Sequence, residues 1–250
     1  MGNTSPSVAM QGFADIHTHI LHNVDDGAER LGEAITLIKL ARENGTRIIV
    51  FTPHYRGDYR TISPQWIEDR FHELKKEVAR IMPDMNLYLG SEVRYEMDAS
   101  KALASGRTKT INGTNYALIE FRTGSLKNEI ISGIAEVFRN GFTPIIAHIE
   151  RYDVCRSDDD LVNELLSMGA LIQINADSVM GKNGRHLKKY CHRLLEARCV
   201  HFVASDAHNS TQRPPLLRAC FHEIRKKYGI EYASQLFYHN AKAMLENKNI

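Results

Sequence analysis

Apolar positions along the chain follow two spacings, one typical of helices and one of buried strands. Between residues 31 and 41 they follow helical spacing, Asn44-Gly45 ends that helix, and RIIVFT (47–52) reads as a continuous apolar strand. The same order recurs before TPIIAH (143–148) and ALIQIN (170–175). Four further strand-like runs are FADIH (13–17), NLYLGSE (86–92), YALIEF (116–121) and VHFVAS (200–205). The pattern predicts seven strands separated by helices.

The predicted strands are apolar throughout rather than alternating, which is typical of parallel strands covered on both faces. Their ends recur at intervals of roughly thirty residues, the size of a βα unit. Right-handed crossovers would close seven such units into an α/β barrel related to the eight-fold TIM barrel. The pattern alone also fits an open doubly wound sheet. Because no linker or composition break divides the chain, we expect a flexible tail over residues 1–12 and one domain over 13–250.

Composition and charge narrow the class of protein. The 250 residues are 43% hydrophobic and 25% charged, as in ordinary soluble proteins. The net charge of +2 gives no general case for a nucleic-acid or membrane partner. No apolar run approaches the ~18 residues needed to span a bilayer, and the N-terminus lacks the pattern of a secretory signal. We therefore expect a cytoplasmic protein without membrane insertion.

Imidazole and carboxylate side chains follow six of the seven predicted strands. In parallel α/β folds the functional site lies at the carboxyl ends of the strands, so these side chains are expected to meet at one rim. They are Asp15, His17, His19, His54, Glu92, Glu120, His148, Asp206 and His208. The sequence has 12 histidines, and five of them fall in this set.

A cluster of this composition suits divalent metal ions. His17 and His19 are two residues apart, so on an extended segment both rings point to the same side and can bind one ion. Mixed nitrogen and carboxylate ligands suit Mn, Fe or Zn better than Ca or Mg. Because the set has too many ligands for one tetrahedral ion, we expect two or three ions that share bridging carboxylates.

Two arginines follow strand ends that already carry predicted ligands. Arg151 comes three residues after His148, and Arg213 comes five residues after His208. A guanidinium group can hold phosphate oxygens in a bidentate manner. Beside a multinuclear metal site, this predicts phosphoryl transfer to water, with a metal-activated hydroxide as the nucleophile.

Rival chemistries lack the residues that they need. A cysteine-based tyrosine phosphatase requires an arginine six positions after its nucleophile, but the four cysteines are followed there by Leu161, Ala197, Ser205 and Lys226. The chain has no GxxxxGK[ST] motif for nucleotide phosphates. Metal-dependent amidohydrolases typically place a bridging lysine at a mid-barrel strand end, where this chain has Glu92 and Glu120.

The motifs DIHTHI, VDDG, TPH, GSE, ALIEF, IAHIERYD and ASDAHN followed by RPP resemble, in order and spacing, the PHP (polymerase and histidinol phosphatase) superfamily. More closely, they are similar to the bacterial metal-dependent protein-tyrosine phosphatases of capsule and exopolysaccharide biosynthesis. The resemblance runs from about Phe13 to the C-terminus. It implies a distorted (β/α)7 barrel that holds a trinuclear site with a preference for manganese.

The resemblance also implies roles for individual residues. His17, His19, Glu92 and Asp206 would bind the first metal, with Glu92 bridging, and the other metals would be bound by Asp26, His54, Glu120, His148 and His208. Asp25 and Asp26 are adjacent in VDDG; spacing favours Asp26, and the choice stays open at this point. Arg151 and Arg213 match the phosphate-binding arginines. The segment after His54 keeps Arg56 and Arg60 but adds Asp58, and because this loop would border the mouth of the site, Arg56 is a candidate substrate-binding residue.

The implied substrate is phosphotyrosine on a bacterial tyrosine autokinase. Tyrosinate, with a pKa of about 10, needs less protonation to leave than a serine alkoxide does. Asp206 or a metal-bound water could donate the proton. Two alternatives remain open, a small-molecule phosphatase such as histidinol-phosphate phosphatase and a non-catalytic, metal-stabilised partner of the kinase. The sequence leaves the oligomeric state open.

Overall fold

The computed structural model describes residues 12–55, 62–96 and 98–250. The strands are β1 (Phe13–Thr18), β2 (Thr46–Phe51), β3 (His54–Tyr55), β4 (Asn86–Leu89), β5 (Glu92–Arg94), β6 (Tyr116–Glu120), β7 (Thr143–Ile146), β8 (Leu171–Asn175) and β9 (Phe202–Ala204). Apart from Gly12, the predicted tail lies outside the described residues, and so does the segment with Arg56, Asp58 and Arg60.

Helices connect these strands. They are α1 (Leu31–Glu43), α2 (Pro64–Ile81), α3 (Ala99–Ala104), α4 (Lys127–Arg139), α5 (Asp153–Ser157), α6 (Asp159–Ser167), α7 (Ala176–Met180), α8 (Arg185–Glu196), α9 (Arg218–Tyr228), α10 (Ile230–Ser234) and α11 (Asn240–Leu245). Local sequence explains several of the ends. Ser63 caps α2 by accepting a hydrogen bond from the Trp66 N–H, and Pro64 occupies its first position, where no intrahelical donor is needed.

All strand pairs are parallel, in the orders β1-β2-β4 and β3-β5-β6-β7-β8-β9. This confirms a mixed α/β fold built on a parallel sheet, with the strand positions that the apolar runs predict. The sheet is curled. An isolated parallel bridge joins Thr18 to Ala207, and the His19 N–H donates to the Ala207 carbonyl at 2.8 Å, so the last strand lies beside the first.

Two of the predicted strands are each divided in two. The strand at 47–52 stops before Pro53, which has no N–H to donate, and resumes as β3. The strand predicted over 86–92 breaks at Gly90, whose Cα approaches the Ile111 side chain so closely that a Cβ would lie 2.7 Å from it. The Gly90 N–H still bonds to the Phe51 carbonyl at 2.8 Å, which keeps the two interrupted strands side by side.

Apolar side chains cover both faces of the sheet. One buried cluster gathers Ile16, Val50, Leu118, Ile145 and Phe202 from five different strands. Side chains from strands so far apart in the sheet order can meet only on its concave face. Two other clusters lie between the sheet and the surrounding helices. The continuous apolar character of the strands follows from this double coverage.

In the part of the chain that the structure describes, every helix is too short or too polar to cross a membrane.

Candidate metal centre

The nine predicted metal ligands converge at the carboxyl ends of the strands. They form four overlapping groups, and in each group the potential ligand atoms lie within 4.8 Å of one another. The groups are His19, Asp26, His54 and His208; His17, His19 and Glu92; His17, His148 and Asp206; and His54, Glu92 and Glu120. Residues from the first and last strands meet here because the sheet curls.

Glu92 lies at the centre of the cluster and is almost fully buried. One carboxylate oxygen, Oε1, lies 3.3 Å from Nε2 of His17 and 2.8 Å from Nε2 of His148. The other, Oε2, lies 3.3 Å from Nε2 of His19 and 2.8 Å from Nδ1 of His54. A carboxylate that faces four imidazole nitrogens is placed to be shared between neighbouring cations.

His17 and His19 present their ring nitrogens to each other. Their Nε2 atoms are 3.1 Å apart, while the outer nitrogens are already engaged: Nδ1 of His17 lies 3.1 Å from Oε1 of Gln173, and Nδ1 of His19 lies 2.7 Å from Asp25. In the neutral rings each Nδ1 carries the proton that binds its partner, so two lone pairs face each other. A divalent cation resolves that conflict, and an outer carboxylate or amide partner is typical of metal-bound histidine.

The two adjacent aspartates of VDDG occupy different positions. Asp26 Oδ1 lies 3.3 Å from Nε2 of His54 and 3.5 Å from Nε2 of His208, within the cluster. Asp25 lies behind His19 and also accepts a hydrogen bond from the His54 backbone N–H at 3.2 Å. The geometry therefore puts Asp26 in reach of a metal ion and Asp25 in an orienting role.

Asp206 links the predicted ligands to the predicted arginines. Its Oδ2 accepts from Arg151 at 2.8 Å, from Arg213 at 2.5 Å and from the Asn175 side-chain amide at 2.8 Å. Its Oδ1 lies 3.6 Å from Nε2 of His17. The residue has a positive φ of 54°, a conformation that non-glycine residues seldom adopt and that is often found at functional sites.

A network of amides behind the cluster was missed by the sequence analysis, which considered only titratable groups. Gln173 Oε1 accepts from the backbone N–H of His148 at 2.8 Å as well as facing His17, and its amide nitrogen donates to Asn175 at 2.8 Å. The backbone N–H of Asn175 in turn donates to the buried Glu150 at 3.1 Å. The sequence does contain a sign of this network, because the otherwise apolar run ALIQIN has two polar residues, Gln173 and Asn175, two positions apart.

Arg94 was also missed. Its Nε donates to Oε2 of Glu120 at 3.0 Å, and Oε1 of Glu120 lies 3.8 Å from Nε2 of His148. The guanidinium thus leaves one oxygen of Glu120 facing the cluster.

Arg213 and His208 interact directly. The His208 Nδ1–H donates to the Asp206 carbonyl at 3.0 Å, so its Nε2 is an acceptor, and Arg213 donates to it at 2.9 Å. A cation bound at this nitrogen would require the guanidinium to turn away from the ring.

Opposite charges stabilise one another across the cluster. Burial disfavours the charged forms, but Glu92 and Asp206 outweigh it and raise the pKa of His17. Although burial also disfavours the charged form of His54, the hydrogen bonds that its protonated ring donates to Asp26 and Glu92 raise its pKa to about 9. The neighbouring imidazoles hold the pKa of Glu92 well below its usual range. Without metal, protons on the imidazoles therefore supply the positive charge that buried carboxylates need.

The cysteines have no role in this chemistry. All four are buried free thiols away from the cluster, and burial raises the pKa of Cys155 to about 12. A thiolate nucleophile is disfavoured at each of them.

Comparisons with known proteins agree with this chemistry. A model of the family described as "Capsular polysaccharide synthesis, CpsB/CapC" matches residues 13–246. The tyrosine-protein phosphatase CpsB of Streptococcus agalactiae serotype V is 36% identical over 241 residues, covering 94% of this chain and 99% of the relative. The tyrosine-protein phosphatase YwqE of Bacillus subtilis is 32% identical over 236 residues, covering 94% and 92%.

Solved structures show the same likeness. One described as "YwqE from Bacillus subtilis and CpsB from Streptococcus pneumoniae, unique metal-dependent tyrosine phosphatases" superposes with a TM-score of 0.89 at 32% identity, covering 95% of this chain and 96% of that one. Histidinol phosphate phosphatase from Lactococcus lactis, solved with zinc, L-histidinol and phosphate, gives a TM-score of 0.61 at 13% identity, covering 87% and 94%. This second likeness concerns the fold alone.

The first prediction concerns Gly27, in the loop that carries Asp25 and Asp26. A Cβ at Gly27 would lie 1.5 Å from the His19 carbonyl oxygen, so Gly27→Ala must displace the loop from β1. We expect a loss of about 1–3 kcal/mol in the free energy of unfolding and much weaker metal binding, measured by denaturation and by metal titration. Gly32→Ala is the matched control because nothing lies within 4 Å of its Cβ position in α1. Equal effects of the two substitutions would contradict the prediction.

The second prediction concerns pH. Because the pKa of His54 in the metal-free site is raised from 6.5 to about 9, its protonated form stabilises the metal-free protein below pH 6.5, and this contribution is lost as the pH rises through 9. A metal ion requires the neutral ring and must displace that proton. We therefore expect metal addition at pH 7 to release protons and metal affinity to rise between pH 6.5 and 9. Metal binding without proton release, followed with a pH indicator in weak buffer, would contradict this.

Proposed function

Because the chain belongs to the CpsB/CapC family of capsular polysaccharide synthesis proteins, we propose that it is a metal-dependent protein-tyrosine phosphatase. The observation that carries this is the meeting of nine metal-ligand side chains and two arginines at one rim, joined through the carboxylate of Asp206. The relatives named as tyrosine-protein phosphatases match this chain over nearly its full length. The reaction is the hydrolysis of a phosphotyrosine ester by water.

We propose that His17, His19, Glu92 and Asp206 bind one divalent ion and that Asp26, His54, Glu120, His148 and His208 complete the site for one or two more. The mixed set of imidazole and carboxylate ligands suits Mn²⁺, Fe or Zn better than Ca or Mg, and the resemblance to the metal-dependent phosphatases favours Mn²⁺ among them. When bound, such ions activate water as a nucleophile and offset the negative charge that develops on the phosphoryl group.

The chain's own contribution to catalysis is to bind and orient the phosphate. Arg151 and Arg213 both reach Asp206, and their side chains are about one-third exposed, so each can present a second edge of its guanidinium to a ligand. Arg213 also covers the metal-facing nitrogen of His208. A cation at that nitrogen would free Arg213 to turn toward the phosphate oxygens.

Asp206 acts as an anchor rather than as a proton donor. Its two oxygens face donors or ring nitrogens on every side, which leaves no room for a proton of its own. The candidate donors of a proton to the tyrosinate leaving group are Asp206 and a water molecule, and this arrangement favours the water molecule. The arrangement suits tyrosinate, which can leave with little protonation.

The sheet order supports a distorted (β/α)7 barrel, counting each interrupted strand as one position and closing β9 against β1. We propose one phosphatase domain over residues 13–250. The substrate is phosphotyrosine on a bacterial tyrosine autokinase that controls capsule or exopolysaccharide synthesis. Because such a kinase is phosphorylated from ATP, the phosphatase acts in the cytoplasm.

The third prediction tests the reaction. Removing metal with a chelator should abolish hydrolysis of a phosphotyrosyl peptide, and Mn²⁺ should restore it better than Mg²⁺, because imidazole ligands favour the softer ion. The restored protein should prefer phosphotyrosine to phosphoserine and to histidinol phosphate.

Activity that persists in a preparation shown by elemental analysis to be free of metal would refute the metal-dependent reaction. A hundredfold preference for histidinol phosphate would instead identify a small-molecule phosphatase. Metal binding without hydrolysis of any of these substrates would favour the non-catalytic role.

The fourth prediction concerns the phosphate-binding arginines. Arg151→Ala removes one of the two guanidinium groups and should lower kcat/KM by about 100-fold or more, the range found when one electrostatic contact to a transition state is lost. Arg151→Lys should recover only part of this, because an ammonium group lacks the bidentate edge. Arg122→Ala is the control, since that side chain is 72% exposed and pairs with Glu96. Full activity in Arg151→Ala would show that the assignment is wrong.

A further inference from the structure

A groove lined by basic side chains leads away from Arg151. A cavity of about 410 Å³ is bordered by Arg151, Arg156 and His186. A second, of about 440 Å³, is bordered by Arg156, His186, Lys189 and Arg193. Because Arg156 and His186 border both, the two cavities form one groove, which we call the α8 groove.

The α8 groove follows one face of a helix. His186, Lys189 and Arg193 are three and four residues apart on α8, so their side chains project from the same face, and all three are exposed. From His186 to Arg193 the helix rises about 10 Å, which three residues of an extended peptide would span.

The groove is built onto the metal centre rather than lying apart from it. Arg156 donates to the backbone carbonyl of Glu150 at 3.0 Å, and the Glu150 carboxylate accepts from the backbone N–H of Asn175, whose side chain binds Asp206. The guanidinium of Arg156 also pairs with Asp153 on the same turn. An incoming anion must therefore compete with Asp153 at Arg156, whereas Lys189 lies beyond that pair.

A neighbouring cavity, separated from the α8 groove by the segment around Thr123, has the reverse charge. A cavity of about 500 Å³ beside Tyr95 is bordered by Glu96, Asp98 and Glu129, with Arg122 as its cation. An acidic peptide segment would be repelled on that side and attracted along α8.

We propose that the α8 groove binds acidic residues that flank the phosphotyrosine of a protein substrate. This inference rests on the proposed phosphatase function and adds a specificity site to it. With the phosphate at Arg151 and Arg213, a chain that leaves the rim toward α8 brings its next few residues alongside His186 and Lys189. Glutamate, aspartate or a second phosphotyrosine in that stretch would pair with the groove.

The test compares four substrates with the full-length, metal-loaded protein: a small aryl phosphate, a phosphotyrosyl peptide with neutral flanks, and two versions of that peptide, with glutamates on the amino-terminal or the carboxyl-terminal flank. We expect a lower KM for one of the two acidic peptides. Lys189→Glu should raise that KM by about fivefold to tenfold, with kcat and the KM values of the other three substrates unchanged. The preference should also weaken in about 0.5 M salt, where surface charges are screened.

Lys242→Glu is the matched control. It makes the same change of charge at an exposed position on α11, which packs beside Tyr116 and Leu171, the first residues of β6 and β8, at the end of the sheet opposite the rim. Equal KM values for acidic and neutral peptides, or equal effects of the two variants, would contradict the binding of acidic residues in the α8 groove. Neither result would contradict the proposed phosphatase function. Failure to hydrolyse any phosphotyrosine substrate would instead overturn the proposed function.

Discussion

The need to compensate one buried carboxylate governs the structure of the rim. An isolated ionised carboxylate in a protein interior is unfavourable by several kcal/mol or more, yet Glu92 is almost inaccessible and faces four imidazole nitrogens. Positive charge must therefore be present there, either as protons on the rings or as divalent ions. The surrounding residues maintain that arrangement: Gln173 and Asp25 fix the outer nitrogens of His17 and His19, so that the inner nitrogens point at the carboxylate.

Periodic features of the sequence predicted most of this arrangement, and irregular features did not. Parallel strands bring their carboxyl ends to one edge, so reading the residues at the end of each apolar run selected eight side chains that do converge. Asp15, selected with them, lies outside the groups of potential ligands and accepts a hydrogen bond from the Ser205 N–H. The choice between Asp25 and Asp26 depends on a loop with no repeating geometry, and only coordinates separate the two. The division of strands at Pro53 and Gly90 depends on local packing, as at Ile111, which apolar spacing does not encode.

The roles of the neutral polar residues around the cluster were also not predicted from the sequence. Gln173 and Asn175 carry no charge, but they connect His17, His148 and Asp206 through hydrogen bonds. Arg94 sits behind Glu120 in the same way. Such residues matter through the side chains they orient, and a search for titratable groups passes over them. The likeness to histidinol phosphate phosphatase, at 13% identity, concerns the fold alone, and the side chains at the rim, rather than the fold, decide the chemistry.

The contact between β1 and β9 has a consequence for synthesis of the chain. His17 lies in β1 and His19 directly follows it, whereas Asp206 and His208 follow β9, and the bridge between Thr18 and Ala207 joins the two segments. At ribosomal rates of about 5–20 residues per second, roughly 10–40 s separate the first pair from the second. A nascent or prematurely terminated chain therefore exposes paired histidines without the aspartate that completes their site. A chain that stops before residue 206 therefore lacks the side chains that close the cluster and cannot assemble it.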